Sequence, residues 1–334
     1  MERGSLVVPD GVQVVIKEPK TYHPFSIHYI ALLAPFSVFG VLARLGLSAL
    51  TTYAGQSIFS LAYSQAVGCL IMGFLLELKE PISRYYPPAY TALTTGFCGS
   101  LTTFSGWQLD IFKSWLNVDN VHRAPLRDAM DGVCKSVFTI SLSLASLFYG
   151  MHLAKMVSVY FRAATPPGKS LRTAATILAI LVYAATFPAY FLLPRDYRHQ
   201  ATAAMLFSFP GTLTRYVLAI QLNTLVPPFP LGTYAANTVG TALLGIFHVL
   251  QSTSNHALSG ASCSLLQGLA DGYCGCLTTV STFAAEIAAL KTNAHKYRYG
   301  LTTWATGQIV MVCLFGALLW AGNIGKSQTC VFDG

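Results

Sequence analysis

The chain has 334 residues, 53% hydrophobic and only 10% charged, whereas soluble domains carry about 25% charged residues. So little charge cannot cover a folded surface in water, which excludes a soluble enzyme or a nucleic-acid-binding domain. The formal charge of +8 is read as membrane orientation, since the basic residues fall in short segments between apolar runs.

Residues 1–26 hold Glu2, Asp10, Lys17, Glu18 and Lys20 without an apolar run, which predicts a cytoplasmic N-terminal segment and no cleaved signal peptide. Nine apolar segments follow, near 27–50, 56–76, 89–110, 134–157, 172–193, 201–222, 229–250, 261–287 and 298–321, several reaching the roughly 20 residues that cross a bilayer. Pro81, Pro87–Pro88, the charged stretch Lys113–Lys135 and Pro166–Pro167 interrupt them. The eight cysteines show no zinc-type spacing, and Cys274 and Cys276 read as small helix-packing side chains.

An internal repeat organises the chain. Gly40-Val-Leu42-Ala-Arg44 matches Gly211-Thr-Leu213-Thr-Arg215, and Gly68 to Gly73 matches Gly240 to Gly245. The third segment, Gly96-Phe-Cys-Gly-Ser-Leu-Thr-Thr-Phe-Ser-Gly-Trp107, aligns without a gap to Gly272-Tyr-Cys-Gly-Cys-Leu-Thr-Thr-Val-Ser-Thr-Phe283 in the eighth, with seven of twelve positions identical. Repeat one is therefore 27–157, a linker with the fifth span is 158–200, repeat two is 201–321, and 322–334 form a tail. Four crossings return a chain to its starting side, so the lone fifth span inverts repeat two relative to repeat one. The predicted fold is an all-α integral membrane protein of two inverted four-helix repeats joined by one linker helix, nine spans in all. Counting Lys and Arg by side gives twelve against seven in favour of a cytoplasmic N-terminus.

Gly-x-x-Thr-Thr-x-Ser in the middle of a span predicts a broken helix, tolerated only where it is buried in protein or lines a wet cavity. Two facing breaks would offer carbonyls to a small hard cation, or would simply permit close helix packing. Arg44 and Arg215, within apolar spans, either raise the local anion concentration at a vestibule or snorkel to the interface. His152 and His248 are isolated on apolar segments, and no His-Glu-x-x-His or Gly-x-Ser-x-Gly appears.

The Gly-x-Cys-Gly-x-Leu-Thr-Thr-Phe-Ser element, with Phe229-Pro-Leu-Gly-Thr-Tyr-Ala-Ala-Asn237-Thr-Val-Gly240, resembles the third and second helices of the Fluc/CrcB fluoride channels. The fused duplication resembles their eukaryotic branch. The resemblance implies a passive fluoride-selective channel at the plasma membrane, working as a fused pseudo-dimer in membrane lipid. It also implies a central structural sodium ion on the carbonyls of Gly99, Thr102, Gly275 and Thr278. One pore would collect Asn237, Phe104 and Phe283, with Glu286 and the hydroxyls of Thr279, Ser281 and Thr303 alongside. Gln65, Val280 and Trp107 would mark a vestigial second pore, with Asp110 in the place of Glu286. The competing reading is a coupled secondary transporter of a small ion, since inverted repeats and broken helices also build carriers.

Overall fold

Two helices with the same flaw meet at the middle of the molecule. Helix α1 (Ile27–Thr51) contains Pro35 and helix α8 (Ala203–Leu222) contains Pro210; each proline removes one backbone donor from its helix. The two pack side by side, and the hydroxyls of Ser37 and Ser208 lie 3.4 Å apart between them.

The computed structural model describes residues 22–54, 56, 58–118, 124–158, 166–194, 201–253, 258–322, 324 and 330. After α1 come α2 (Leu61–Glu77) and α3 (Lys79–Tyr85), bent 72° from α2. Helix α4 covers 87–101 and includes the π-helical stretch Ala92–Cys98; α5 is Phe104–Leu116 and α6 is Pro125–Ser158. Helix α7 (Lys169–Leu192) stands between the repeats. Repeat two continues with α8, α9 (Leu231–Gln251), α10 (260–277, with the π-helical stretch Leu269–Cys274), α11 (Ser281–Ala289) and α12 (Asn293–Trp320). Apart from α3, each element of repeat one has its counterpart in repeat two in the same order, and both predicted breaks fall where the Thr-Thr pairs lie. Among the described residues there is no strand, only an isolated bridge between Thr253 and Ile324.

Among the described residues, six helices (α1, α6, α7, α8, α9 and α12) are long and apolar enough to cross a membrane, seven if α2 and α3 count as one bent span. The chain is a multi-pass membrane protein by this measure. Within α7 only 17% of the apolar window is buried, against 56% in α1. Leu178, Leu181 and Phe191 face outward, as expected of a helix turned to lipid. It is held to its neighbours by Tyr183, which donates to the Leu206 carbonyl at 2.8 Å, and by the Thr176–His28 pair, also 2.8 Å.

The structure corrects two boundaries. Helix α6 begins at Pro125 rather than near 134, so part of the charged stretch expected as a loop is helical. Proline suits the first turn of a helix and Asp128 complements its dipole there. At 34 residues the helix runs about 50 Å, well beyond a hydrocarbon core of about 30 Å, so its charged end reaches past the apolar layer. Helix α5 likewise extends to Leu116, carrying Asp110 and Lys113 in helical conformation. The predicted segment 1–26 lies outside the described residues up to residue 21, as does most of the tail 322–334.

Candidate functional site

Each break opens on an extended threonine. Thr102 and Thr103 have ψ of 151° and 129°, and Thr278 has ψ of 154°, so the helix stops and restarts within one turn. The restarted half-helices α5 and α11 expose unsatisfied N–H groups at their first turns, and the opposite repeat supplies the acceptor for two of them in each, while Thr103 and Thr279 cap Gly106 N and Thr282 N within their own repeats. The Thr278 hydroxyl accepts from Phe104 N at 3.2 Å and Ser105 N at 3.1 Å; the Thr102 hydroxyl accepts from Val280 N at 3.3 Å and Ser281 N at 3.1 Å. Thr279 and Ser281 complete the cluster, with hydroxyls 3.2 and 3.0 Å from that of Thr102.

The same crossing governs the two arginines. Arg44 donates to the carbonyls of Ser100 and Gly275, both at 2.8 Å, and to that of Asp271. Arg215 donates to those of Cys276 at 2.9 Å and Thr95 at 2.8 Å. Each guanidinium therefore joins both repeats. A methyl group at Gly99 would collide with Arg215, and one at Gly275 with Arg44, which explains why glycine stands at both places. Neither side chain snorkels: Arg44 is 4% and Arg215 2% exposed. Arg44 does border a polar cavity of about 320 Å³ lined also by Ser48, Asp110, Lys113, His248 and Gln267, and Arg215 is not among its lining residues. Within that wall His248 packs against Phe315, ring centroids 4.8 Å apart.

The predicted pore aromatics come together across the repeats. Phe104 meets Phe283 edge-on at 5.5 Å and Trp107 at 5.4 Å, and Phe283 meets Tyr299 at 5.2 Å. Val280 belongs to the same buried cluster, so the apolar members of the two expected sets pack against one another. Trp107 turns its indole N–H to the Lys135 carbonyl at 3.1 Å.

Asn237 and Gln65 occupy matching places and do unequal work. Asn237 donates to the Thr279 carbonyl at 3.3 Å and accepts from Thr279 N at 2.9 Å. Gln65 donates to the Thr103 carbonyl at 2.7 Å, but its Oε1 has no partner among the described residues.

Half-buried Glu286 is the other focus of repeat two. It accepts from Thr233 Oγ1 and Tyr299 Oη, both at 2.6 Å, and from Asn223 Nδ2 at 3.3 Å. Asn223 also accepts from Gly232 N at 2.7 Å and Thr233 N at 3.1 Å, capping the start of α9. Buried Thr303 donates to the Tyr299 carbonyl one turn back at 2.7 Å.

A family model described as "CrcB-like protein, Camphor Resistance (CrcB)" matches residues 31–151 and again 202–322. The chain belongs to this CrcB-like family. Relatives include fluoride export protein 1 of Neurospora crassa, 34% identical over 90% of this chain and 68% of that one. Fluoride export protein 1 of Candida albicans is 32% identical over 87% of this chain and 78% of its own length. The fluoride-specific ion channel FluC of Desulfovibrio desulfuricans is 33% identical over 36% of this chain and 88% of that one. No solved structure matches.

The two matched segments of this CrcB-like chain contain every predicted site residue. Tyr299, Thr233 and Asn223 were not singled out from the sequence; Tyr299 lies one helical turn before Thr303, and that spacing was the available signal. The four carbonyls expected to hold sodium fit a cation unequally. Those of Thr102 and Thr278 sit on extended backbone where the helix is broken, and oxygen ligands of this kind suit a hard cation. The Gly275 carbonyl instead receives Arg44, and Gly99 lies against Arg215, so positive charge already abuts the glycine half of the set.

Proposed function

We propose that this chain is a passive, fluoride-selective channel that exports fluoride across the plasma membrane. The observation that carries the reading is the double CrcB-like match, spanning both halves, whose broken helices interlock through Thr102 and Thr278. Fluoride is small and strongly hydrated, so a conducting path must replace its water with donors. Hydroxyls, amides and the electropositive edges of aromatic rings are such donors, and the N-termini of α5 and α11 add positive dipole ends. The path runs past Asn237, Phe104 and Phe283, with Glu286, Thr279, Ser281 and Thr303 alongside, while Gln65, Val280 and Trp107 belong to a non-conducting second path. Arg44 draws anions into the polar cavity.

The chain crosses the membrane nine times, counting α2 and each broken pair as one span, with a cytoplasmic N-terminus and the linker helix α7 inverting repeat two. It acts as a monomer. A sodium ion rests on the carbonyls of Thr102 and Thr278, supplying fixed positive charge between the halves. Replacing sodium with an organic cation should lower the melting temperature of the purified protein, and no change would remove the ion from the proposal.

The deciding experiment is anion efflux from liposomes carrying the purified protein. Fluoride should leave rapidly, chloride should not, and imposed proton or sodium gradients should leave the flux unchanged. Coupling to either gradient would make the protein a secondary transporter instead.

A further inference from the structure

Cys263 and Cys330, 67 residues apart in sequence, are bonded, with Cα atoms 5.7 Å apart, within the range a disulfide spans. Cys263 lies in the first turn of α10 and is fully buried. The other six cysteines are unpaired, so the pairing is selective. A second attachment reinforces it: Ile324 of the tail bridges to Thr253 at the end of α9. Ile324 is also buried among Leu109, Phe112 and Leu244, and Leu109 and Leu244 line the polar cavity beside Arg44. The tail is thus fixed at two points, and at one of them Ile324 packs next to the cavity wall.

Disulfides persist on the oxidising side of a cell membrane and are rare in the cytosol. Charge gives an independent reading of the same end. The turn 252–259 holds no lysine or arginine and the tail 322–334 holds only Lys326, whereas Lys291, Lys296 and Arg298 gather where α11 meets α12. Basic residues mark the cytoplasmic side, so charge and sulfur agree on which end faces out.

We propose that the Cys263–Cys330 disulfide forms in the mature protein, fastens the C-terminal tail beside the polar cavity, and marks that end as non-cytoplasmic. The two thiols form one S–S bond, release two protons and pass two electrons to a protein disulfide of the secretory compartment, which leaves as a dithiol. The bond closes a loop containing α10, α11 and α12, so the last two spans of repeat two are tied at both ends.

The test uses the full chain in cell membranes and does not depend on conduction, so its failure would leave the fluoride reading standing. Free thiols are blocked with N-ethylmaleimide in denaturant, the sample is reduced, and a polyethylene-glycol maleimide is added. The wild-type chain should gain two adducts, and Cys263→Ser and Cys330→Ser should gain none. A wild-type chain without adducts, or two adducts persisting in Cys330→Ser, overturns the bond. An epitope fused after Gly334 should bind antibody on intact cells; binding only after permeabilisation overturns the orientation.

Discussion

The hydroxyl of Thr278 lies 3.1 Å from the amide nitrogen of Ser105, so a residue of repeat two caps a helix of repeat one. Thr102 returns the contact to Ser281 at the same distance. Replacing Thr278 with valine keeps the shape and strands two buried N–H groups. Leaving buried donors unsatisfied costs about 1–3 kcal/mol, so Thr278→Val should melt several degrees lower than the wild type in detergent, with Thr278→Ser recovering most of the loss. An unchanged melting curve for the valine variant would show that the exchanged cap contributes nothing.

The glycines behind the arginines give a coupled prediction. Gly275→Ala should destabilise the protein because the new methyl meets Arg44. In an Arg44→Leu background, where the collision is relieved, the same alanine should cost less. The double-mutant cycle should show an interaction of at least about 0.5 kcal/mol; additive costs would mean that something other than the guanidinium demands glycine there.

Conduction should follow one set of residues. Asn237→Asp, Phe104→Ile and Phe283→Ile should each abolish fluoride efflux, the first by setting negative charge beside the anion. Gln65→Asp, Val280→Ile and Trp107→Ile should leave efflux nearly intact. Trp107→Ile should still cost roughly 1 kcal/mol of stability, since it removes the indole bond to the Lys135 carbonyl. Equal losses from the two sets in liposome flux would mean that both paths conduct.

Glu286 receives three donors at once. Glu286→Gln keeps the size but offers one acceptor oxygen and turns an amide N–H₂ toward hydroxyls. Hydrogen bonds to charged groups are worth about 1.5–3 kcal/mol each, so Glu286→Gln and Tyr299→Phe should both reduce flux and stability. The double variant should lose less than their sum. Full additivity would show that the two side chains act separately.

The helical repeat and its breaks were legible because they carry local signals: glycine, two threonines and a serine at fixed spacing, written twice. The partners of Arg44 and Arg215 were not, because a backbone carbonyl leaves no mark in a sequence. The start of α6 at Pro125 is hidden for a related reason, since a long helix carries its charged end beyond the apolar layer. Cys330 lies 67 residues from its partner, with no spacing rule to join them. The grouping of Phe104 and Phe283 was readable from the repeat, yet their packing in one cluster with Trp107 and Val280 depends on how the two broken helices cross. Sequence comparison between halves gives correspondence and says nothing about how far apart two matched cores lie.

The outward-facing helix α7 has a consequence for inheritance. The halves hold each other through crossed caps and crossed guanidiniums, while α7, mostly exposed, serves as tether. In an assembly of two identical chains, any substitution appears on both sides of the symmetry axis. Tethering one copy of each half lets a change appear on one side alone. Valine can then stand at 280 while phenylalanine stays at 104, and glutamine at 65 while asparagine stays at 237. The tether converts two obligatory twins into two separately mutable parts.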